Sequence, residues 1–228
     1  MIRSQYRVAA MLAVSVALAA CASAARPSAH PALQAATPVP PNPAAIAAAE
    51  RDSAQYPYTA ADIHFMTGMI AHHAQAIKMA SMAPSHGAAP SVRTLCDRII
   101  NAQTDEIRLM QQWLRDRRQP VPAPNPEGMT MNMDGMQHTM LMPGMLSAEQ
   151  MKQLDASRGT EFDHLFLTGM IQHHQGAISM VDELSGTYGA DQDQLVAKFS
   201  QDVQVDQGTE IKRMQQMLAV LVLQGHAP

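Results

Sequence analysis

Asp62-Ile-His-Phe-Met-Thr-Gly-Met-Ile-Ala-His-His-Ala-Gln-Ala-Ile-Lys-Met79 decides the fold, because it returns 101 residues later. The second copy is Asp163-His-Leu-Phe-Leu-Thr-Gly-Met-Ile-Gln-His-His-Gln-Gly-Ala-Ile-Ser-Met180. A second block, Gln103-Thr-Asp-Glu-Ile-Arg-Leu-Met-Gln-Gln-Trp-Leu114, recurs as Gln207-Gly-Thr-Glu-Ile-Lys-Arg-Met-Gln-Gln-Met-Leu218. Apolar residues in both blocks fall at helical spacing, so each half reads as two helices. Two hairpins that bury their apolar faces against each other make an all-α, four-helix bundle.

The helix ends agree with this reading. Thr59 precedes Asp62 by three and Thr160 precedes Asp163 by three, which predicts an N-cap with an acid in the first turn at both places. Pro84, Ser85, Gly87 and Pro90 break the first hairpin, and Gly186, Gly189 and Asp191 break the second. Ser147-Ala-Glu-Gln150 is a further capping signal for a short helix. No strand is expected anywhere. Gly68 and Gly169 fall mid-helix, where each costs about 1 kcal/mol relative to alanine. Their recurrence predicts close approach near a pseudo-twofold axis.

The polar residues sit on the stripe that should be buried. At about 100° per residue Asp62 nearly eclipses Met69, and His72 and His73 fall on either side of it. Asp163, Met170, His173 and His174 repeat the pattern. On the partner helices Gln103, Glu106 and Met110 share a face, as do Gln207, Glu210 and Met214. Methionine at helical spacing is ordinarily core filler, which is the reading for Met79, Met82, Met180 and Met217. Imidazole pairs repeated within one chain are harder to explain by packing, and buried polar groups need partners. Metal binding at His72, His73, His173 and His174, with Met69 and Met170, is therefore the expectation. Asp62, Glu106, Met110, Asp163, Glu210 and Met214 are further ligands or supporting groups. The alternative is that one histidine of each pair bonds a carboxylate. A di-iron centre needs Glu-x-x-His; Glu106 is followed at plus three by Leu109 and Glu210 by Arg213, so that chemistry is set aside.

Between the repeats lies Met129-Thr-Met-Asn-Met-Asp-Gly-Met-Gln-His-Thr-Met-Leu-Met-Pro-Gly-Met145, which holds seven of the 19 methionines. Met129, Met131, Met133, Met136, Met140 and Met142, with His138, read as flexible ligands, while Met145 and Leu146 read as anchors to the bundle. Thioether with imidazole favours Cu(I), and by the same chemistry Ag(I), over Mg or Ca. Cu(II) and zinc stay as alternatives for the histidine–carboxylate set.

Composition narrows the class further. The 228 residues are 46% hydrophobic, enough for a core, and carry a net charge of −4. A nucleic-acid binder would show a basic surplus, which is missing. Two cysteines exclude a disulfide scaffold. Arg3 and Arg7 followed by apolar Val8 to Ala20 read as an export signal; Leu18-Ala19-Ala20-Cys21 resembles a bacterial lipobox whose Cys21 would be lipidated, the alternative being plain signal cleavage at a site such as Ala22-Ser23-Ala24. Loss of both arginines takes the chain to −6. Cys96 is then a lone thiol within a helical pattern, expected to be buried and inert. Residues 22–57 hold seven of the 15 prolines and are expected to be a tether. The resulting division is 1–21 signal, 22–57 tether and 58–224 bundle. Within the bundle, repeat one is 59–117, the Met-rich linker 118–146 and repeat two 147–224.

Taken together, Phe-x-x-x-Met-Ile-x-His-His-x-x-Ala-Ile-x-Met, Glu-Ile-x-x-Met-x-x-Trp-Leu and Met-Pro-Gly-Met-Leu before a second copy resemble the bacterial domain-of-unknown-function 305 family, from about Tyr58 to Leu223. The resemblance implies a ferritin-like bundle, commonly exported, with some members periplasmic copper-binding proteins active in copper tolerance. It places the family's His-His pairs on His72–His73 and His173–His174. The associated methionines fall on Met69, Met79, Met110, Met170, Met180 and Met214. Two departures stand out: Met217 replaces the usual Trp, and Gln175-Gly176 replaces Ala74-Gln75.

The expectation is an exported, lipid-tethered copper buffer or carrier of the periplasm, with a metal ion and the membrane as partners and no nucleic acid. No catalytic constellation is found. The competing readings are a helical interaction module with structural histidines and, more remotely, a metal oxidase.

Overall fold

The computed structural model describes residues 42–133 and 136–225; the signal, Cys21 and most of the expected tether lie outside them. Six helices and one two-stranded sheet follow in order: α1 (Pro43–Gln55), α2 (Ala60–Ala80), α3 (Pro90–Asp116), β1 (Met129–Met133), β2 (Met136–Met140), α4 (Ala148–Ala156), α5 (Gly159–Gly186) and α6 (Gln194–Gly225). α2 pairs with α3, α5 pairs with α6, and the two hairpins meet through α2 and α5.

Local chemistry sets most boundaries. Thr59 and Asp62 form a reciprocal capping box that opens α2, and Ser147 and Gln150 form another that opens α4. Pro90 occupies the first turn of α3, where its missing N–H has no intrahelical acceptor to lose. The expected cap at Thr160 is not formed. α5 begins at Gly159, so Thr160 lies inside its first turn, and Arg158 at the N-cap gives no side-chain cap.

Both stripe aspartates reach across to the opposite hairpin. Asp62 Oδ1 accepts from Asp191 N at 2.8 Å, in the turn before α6. Asp163 accepts from Ala89 N at 3.2 and 3.1 Å, at the start of α3. Each carboxylate thus orders the turn of the half it does not belong to. The equivalent glycines mark the same axis: a Cβ on Gly68 would lie 3.4 Å from Met180 Cε, and one on Gly169 would lie 3.4 Å from Met79 Cε. Side-chain tips, not helix backbones, fill the space these glycines leave.

Two segments depart from the sequence reading. Part of the supposed tether is helical, since Asn42 caps an alanine-rich run with Pro43 in its first turn. This helix, α1, packs on α3, with Asp52 and Glu50 paired to Arg117 and Arg118. The Met-rich linker contains strands where none was expected: β1 and β2 pair antiparallel. Met129, Met131 and Met133 alternate with Thr130 and Asn132, a period of two that suits a ribbon with unlike faces.

Large apolar side chains fill the interior, among them Trp113, Phe162 and Phe166. Trp113 Nε1 donates to Asp193 Oδ1 at 3.0 Å, and the Asp193 carboxylate also caps α6 through Leu195 N and Val196 N. Cys96 is buried as expected, and burial pushes its thiol well above the usual range. Among the described residues no helix is long and apolar enough to cross a membrane.

Candidate metal centre

The four paired histidines converge at the contact of α2 with α5, and all four are fully buried. His72 and His173, equivalent in the repeat, lie with ring centroids 3.7 Å apart. His73 and His174 point outward towards the partner helices, where His73 Nε2 is 2.6 Å from Glu106 Oε2 and His174 Nε2 is 2.7 Å from Glu210 Oε2. One histidine of each pair therefore faces a carboxylate: His174 is hydrogen-bonded to Glu210, whereas His73 lies within ion-pairing distance of Glu106 but outside hydrogen-bonding geometry.

The inner rings are kept neutral. Burial, and then the neighbouring His73, push His72 down to about 3; its Nε2 donates to Pro143 O at 3.0 Å. The His72 Nδ1 lone pair is consequently bare. His173 is likewise pushed well down by burial, and neither of its ring nitrogens has an acceptor or donor in hydrogen-bonding geometry. Nδ1 of His73 and of His174 also lack partners, as do the Oε1 atoms of the buried, equivalent Gln103 and Gln207. Such a concentration of unpaired buried polar atoms is rare in protein interiors.

The linker lies directly against this centre, and the break in repeat symmetry is where it does so. At Gln75 the side-chain amide clamps the linker: Leu146 N donates to Oε1 at 2.6 Å, and Nε2 donates to Leu146 O at 3.0 Å and Pro126 O at 3.2 Å. At the equivalent Gly176 there is no side chain, and a Cβ would fall 2.0 Å from Pro143 O. Gly144, at φ +76°, approaches the same spot, with Gln172 Nε2 donating to its carbonyl at 3.2 Å. The sequence marks both positions as a departure from repetition but carries no sign of what crosses there.

The ribbon register brings the linker methionines and His138 together. Met129 stands opposite Met140, Met131 opposite His138, and Met133 opposite Met136. Directly paired residues share a face, so Met129, Met131, Met136, Met140 and His138 are placed on one side of the ribbon. Met129 is buried and Met131 packs on the core, whereas Met136 is 62% and Met140 44% exposed and His138 is exposed. Met142 and Met145 are buried.

Met69, Met170, Met110 and Met214 are fully buried in the common core. Asp62 and Asp163 spend their oxygens on backbone N–H groups, and burial pushes the Asp163 carboxyl up. Asp206, absent from the sequence-derived set, is pushed up by partial desolvation and then by the carboxylates of Glu106, Asp202 and Glu210. That coupling marks a negatively charged approach to His73 and His174. Neutral imidazoles with bare nitrogens are donors that suit soft and borderline ions. Among the described residues no three His, Cys, Asp or Glu side chains are grouped as a ready-made metal site.

A duplicated helical hairpin with a buried histidine cluster and a Met-rich ribbon defines the class of protein. The sequence profile of the domain of unknown function DUF305 matches residues 62–218, and the chain belongs to that family. Solved relatives share the fold. A DUF305 protein of Streptomyces coelicolor, classed as secreted, is 25% identical with a TM-score of 0.60, covering 71% of this chain and 93% of that one. A DUF305 fragment from Deinococcus radiodurans is 26% identical with a TM-score of 0.58, over 71% and 97% of the two chains. CopM is 30% identical in its Cu(I)-bound form, with a TM-score of 0.51 over 68% and 94%; it has also been solved with Cu(II) and with silver. No curated protein matches the chain.

Proposed function

We propose that this protein is an exported binder of Cu(I), and by the same chemistry Ag(I), acting as a buffer or carrier in copper tolerance. Its two hairpins form a four-helix bundle, and Cys21 anchors the chain to a membrane by lipid. The observation that carries the reading is the ribbon register, which sets Met129, Met131 and Met133 against Met140, His138 and Met136. Thioethers and an imidazole on one partly exposed face make a soft, uncharged donor set. The metal-bound structures of CopM support the same chemistry. The neutral His72 and His173 rings are a second donor source, reached past Glu106, Asp206 and Glu210.

A second reading keeps the histidine pairs structural. It is favoured by the contacts that already hold three of the four rings: His73 to Glu106, His174 to Glu210 and His72 to Pro143. No catalytic step is assigned.

An anaerobic Cu(I) titration of residues 22–228 against a chromophoric chelator tests both readings. The protein should compete for copper, and replacing Met129, Met131, Met133, Met136 and Met140 by leucine should weaken it by at least about tenfold. Undiminished competition by that variant would move the site off the ribbon. A parent protein that does not compete at all removes the function.

A further inference from the structure

α2 carries a histidine that the repeat lacks. His64 is exposed, and its equivalent in α5 is Leu165. It rims a cavity of about 50 Å³ whose lining includes Phe65, Met142, Met180 and Glu183. One turn further along the same face of α2 is Gly68, and there two thioethers come together. A Cβ on Gly68 would lie 3.0 Å from Met142 Cε, 3.4 Å from Met142 Sδ and 3.4 Å from Met180 Cε. The segment presenting Met142 is held in place: Met142 N donates to Met145 Sδ at 3.3 Å, and the next carbonyl, Pro143 O, accepts from His72.

The other half of the molecule supplies an internal control. Around Gly169, the mate of Gly68, a Cβ would meet Leu146 Cδ2 at 3.0 Å and Met79 Cε at 3.4 Å, one turn from Leu165. Packing at this place is thus served by leucine twice. Leucine and methionine exchange in cores at small cost, so filling space does not call for a sulfur at 142 or an imidazole at 64. The half with an imidazole and a second thioether in place of the two leucines is the one where they line a cavity reached from solvent.

We propose that His64, Met142 and Met180 form a soft-cation site, separate from the ribbon and the buried histidines, that takes Cu(I) or Ag(I). One imidazole nitrogen and two thioether sulfurs suit a low-coordinate monovalent ion, and Glu183 at the rim lends a field that favours a cation. Gly68 leaves room for the ends of both methionine side chains by contributing no side chain of its own. The site rests on the soft-metal reading above.

The test is an anaerobic Ag(I) titration of residues 22–228 carrying ¹³C-methyl methionine, followed by methyl resonances. The Met142 and Met180 methyls should shift together. In His64→Leu, an exposed position where the fold is checked by circular dichroism, those shifts should need about tenfold more Ag(I). The exposed ribbon methyls of Met136 and Met140 should respond as in the parent. Met142→Leu should likewise abolish the Met180 shift. The proposal is overturned if the Met142 and Met180 methyls stay still while ribbon methyls move, or if His64→Leu titrates like the parent. If no methionine methyl moves in any form, the soft-metal reading itself fails.

Discussion

His72 combines three features that are individually costly: full burial, a donated Nε2–H and a bare Nδ1. Its folded pKa of about 3 against 6.5 unfolded fixes a pH dependence. Between those values the unfolded chain binds a proton that the folded protein does not. Stability therefore falls as pH drops below 6.5, by about 1.4 kcal/mol per unit for this ring. Chemical denaturation of the metal-free protein should lose about 2 kcal/mol between pH 7.5 and pH 5 through His72, with His173 acting in the same direction. A flat profile over that range would mean the inner rings are not held neutral. The donor identities at this scale were visible in the repeat. Which imidazole a carboxylate would hold was not, because His72 and His73 are adjacent and only the angle of α3 decides which meets Glu106.

At the scale of elements, the linker is a built part of the molecule. It enters through Lys78–Glu127, forms the ribbon, and then threads Pro143-Gly144 over α5. Gly176→Ala should force that passage apart, costing about 1–3 kcal/mol as overpacking and loosening the Pro143 carbonyl from His72. Thermal melting measures the first effect, and the His72 ring resonances report the second. Helix positions and the capping boxes at Thr59 and Ser147 were legible in the sequence, since periodicity and caps are local. The ribbon is not legible in the same way, although Met129, Met131 and Met133 alternate with Thr130 and Asn132. Methionine has no strong strand preference, so the alternation carries little local signal. The missing box at Thr160 had a different cause, because α5 starts earlier, at Gly159, and takes Thr160 into its first turn.

At the scale of the whole molecule, neither hairpin is self-sufficient. Asp62 depends on the Asp191 backbone and Asp163 on the Ala89 backbone, and the inner histidines meet as a tilted pair across the boundary. A peptide spanning residues 58–117 should consequently lack a fixed core, with poorly dispersed amide resonances, whereas residues 42–225 should give a single cooperative unfolding transition. Independent folding of the short peptide would contradict the importance given to the cross-hairpin bonds.

Those crossed aspartate bonds have a bearing on association. A contact that joins one hairpin to the other does not distinguish a hairpin of the same chain from one supplied by a neighbour. What favours the intramolecular choice is the effective concentration set by residues 118–146, a span long enough to let the chain fold back on itself. Shorten that span or raise the protein concentration far enough, and the same bonds would close a dimer by exchanging hairpins between copies.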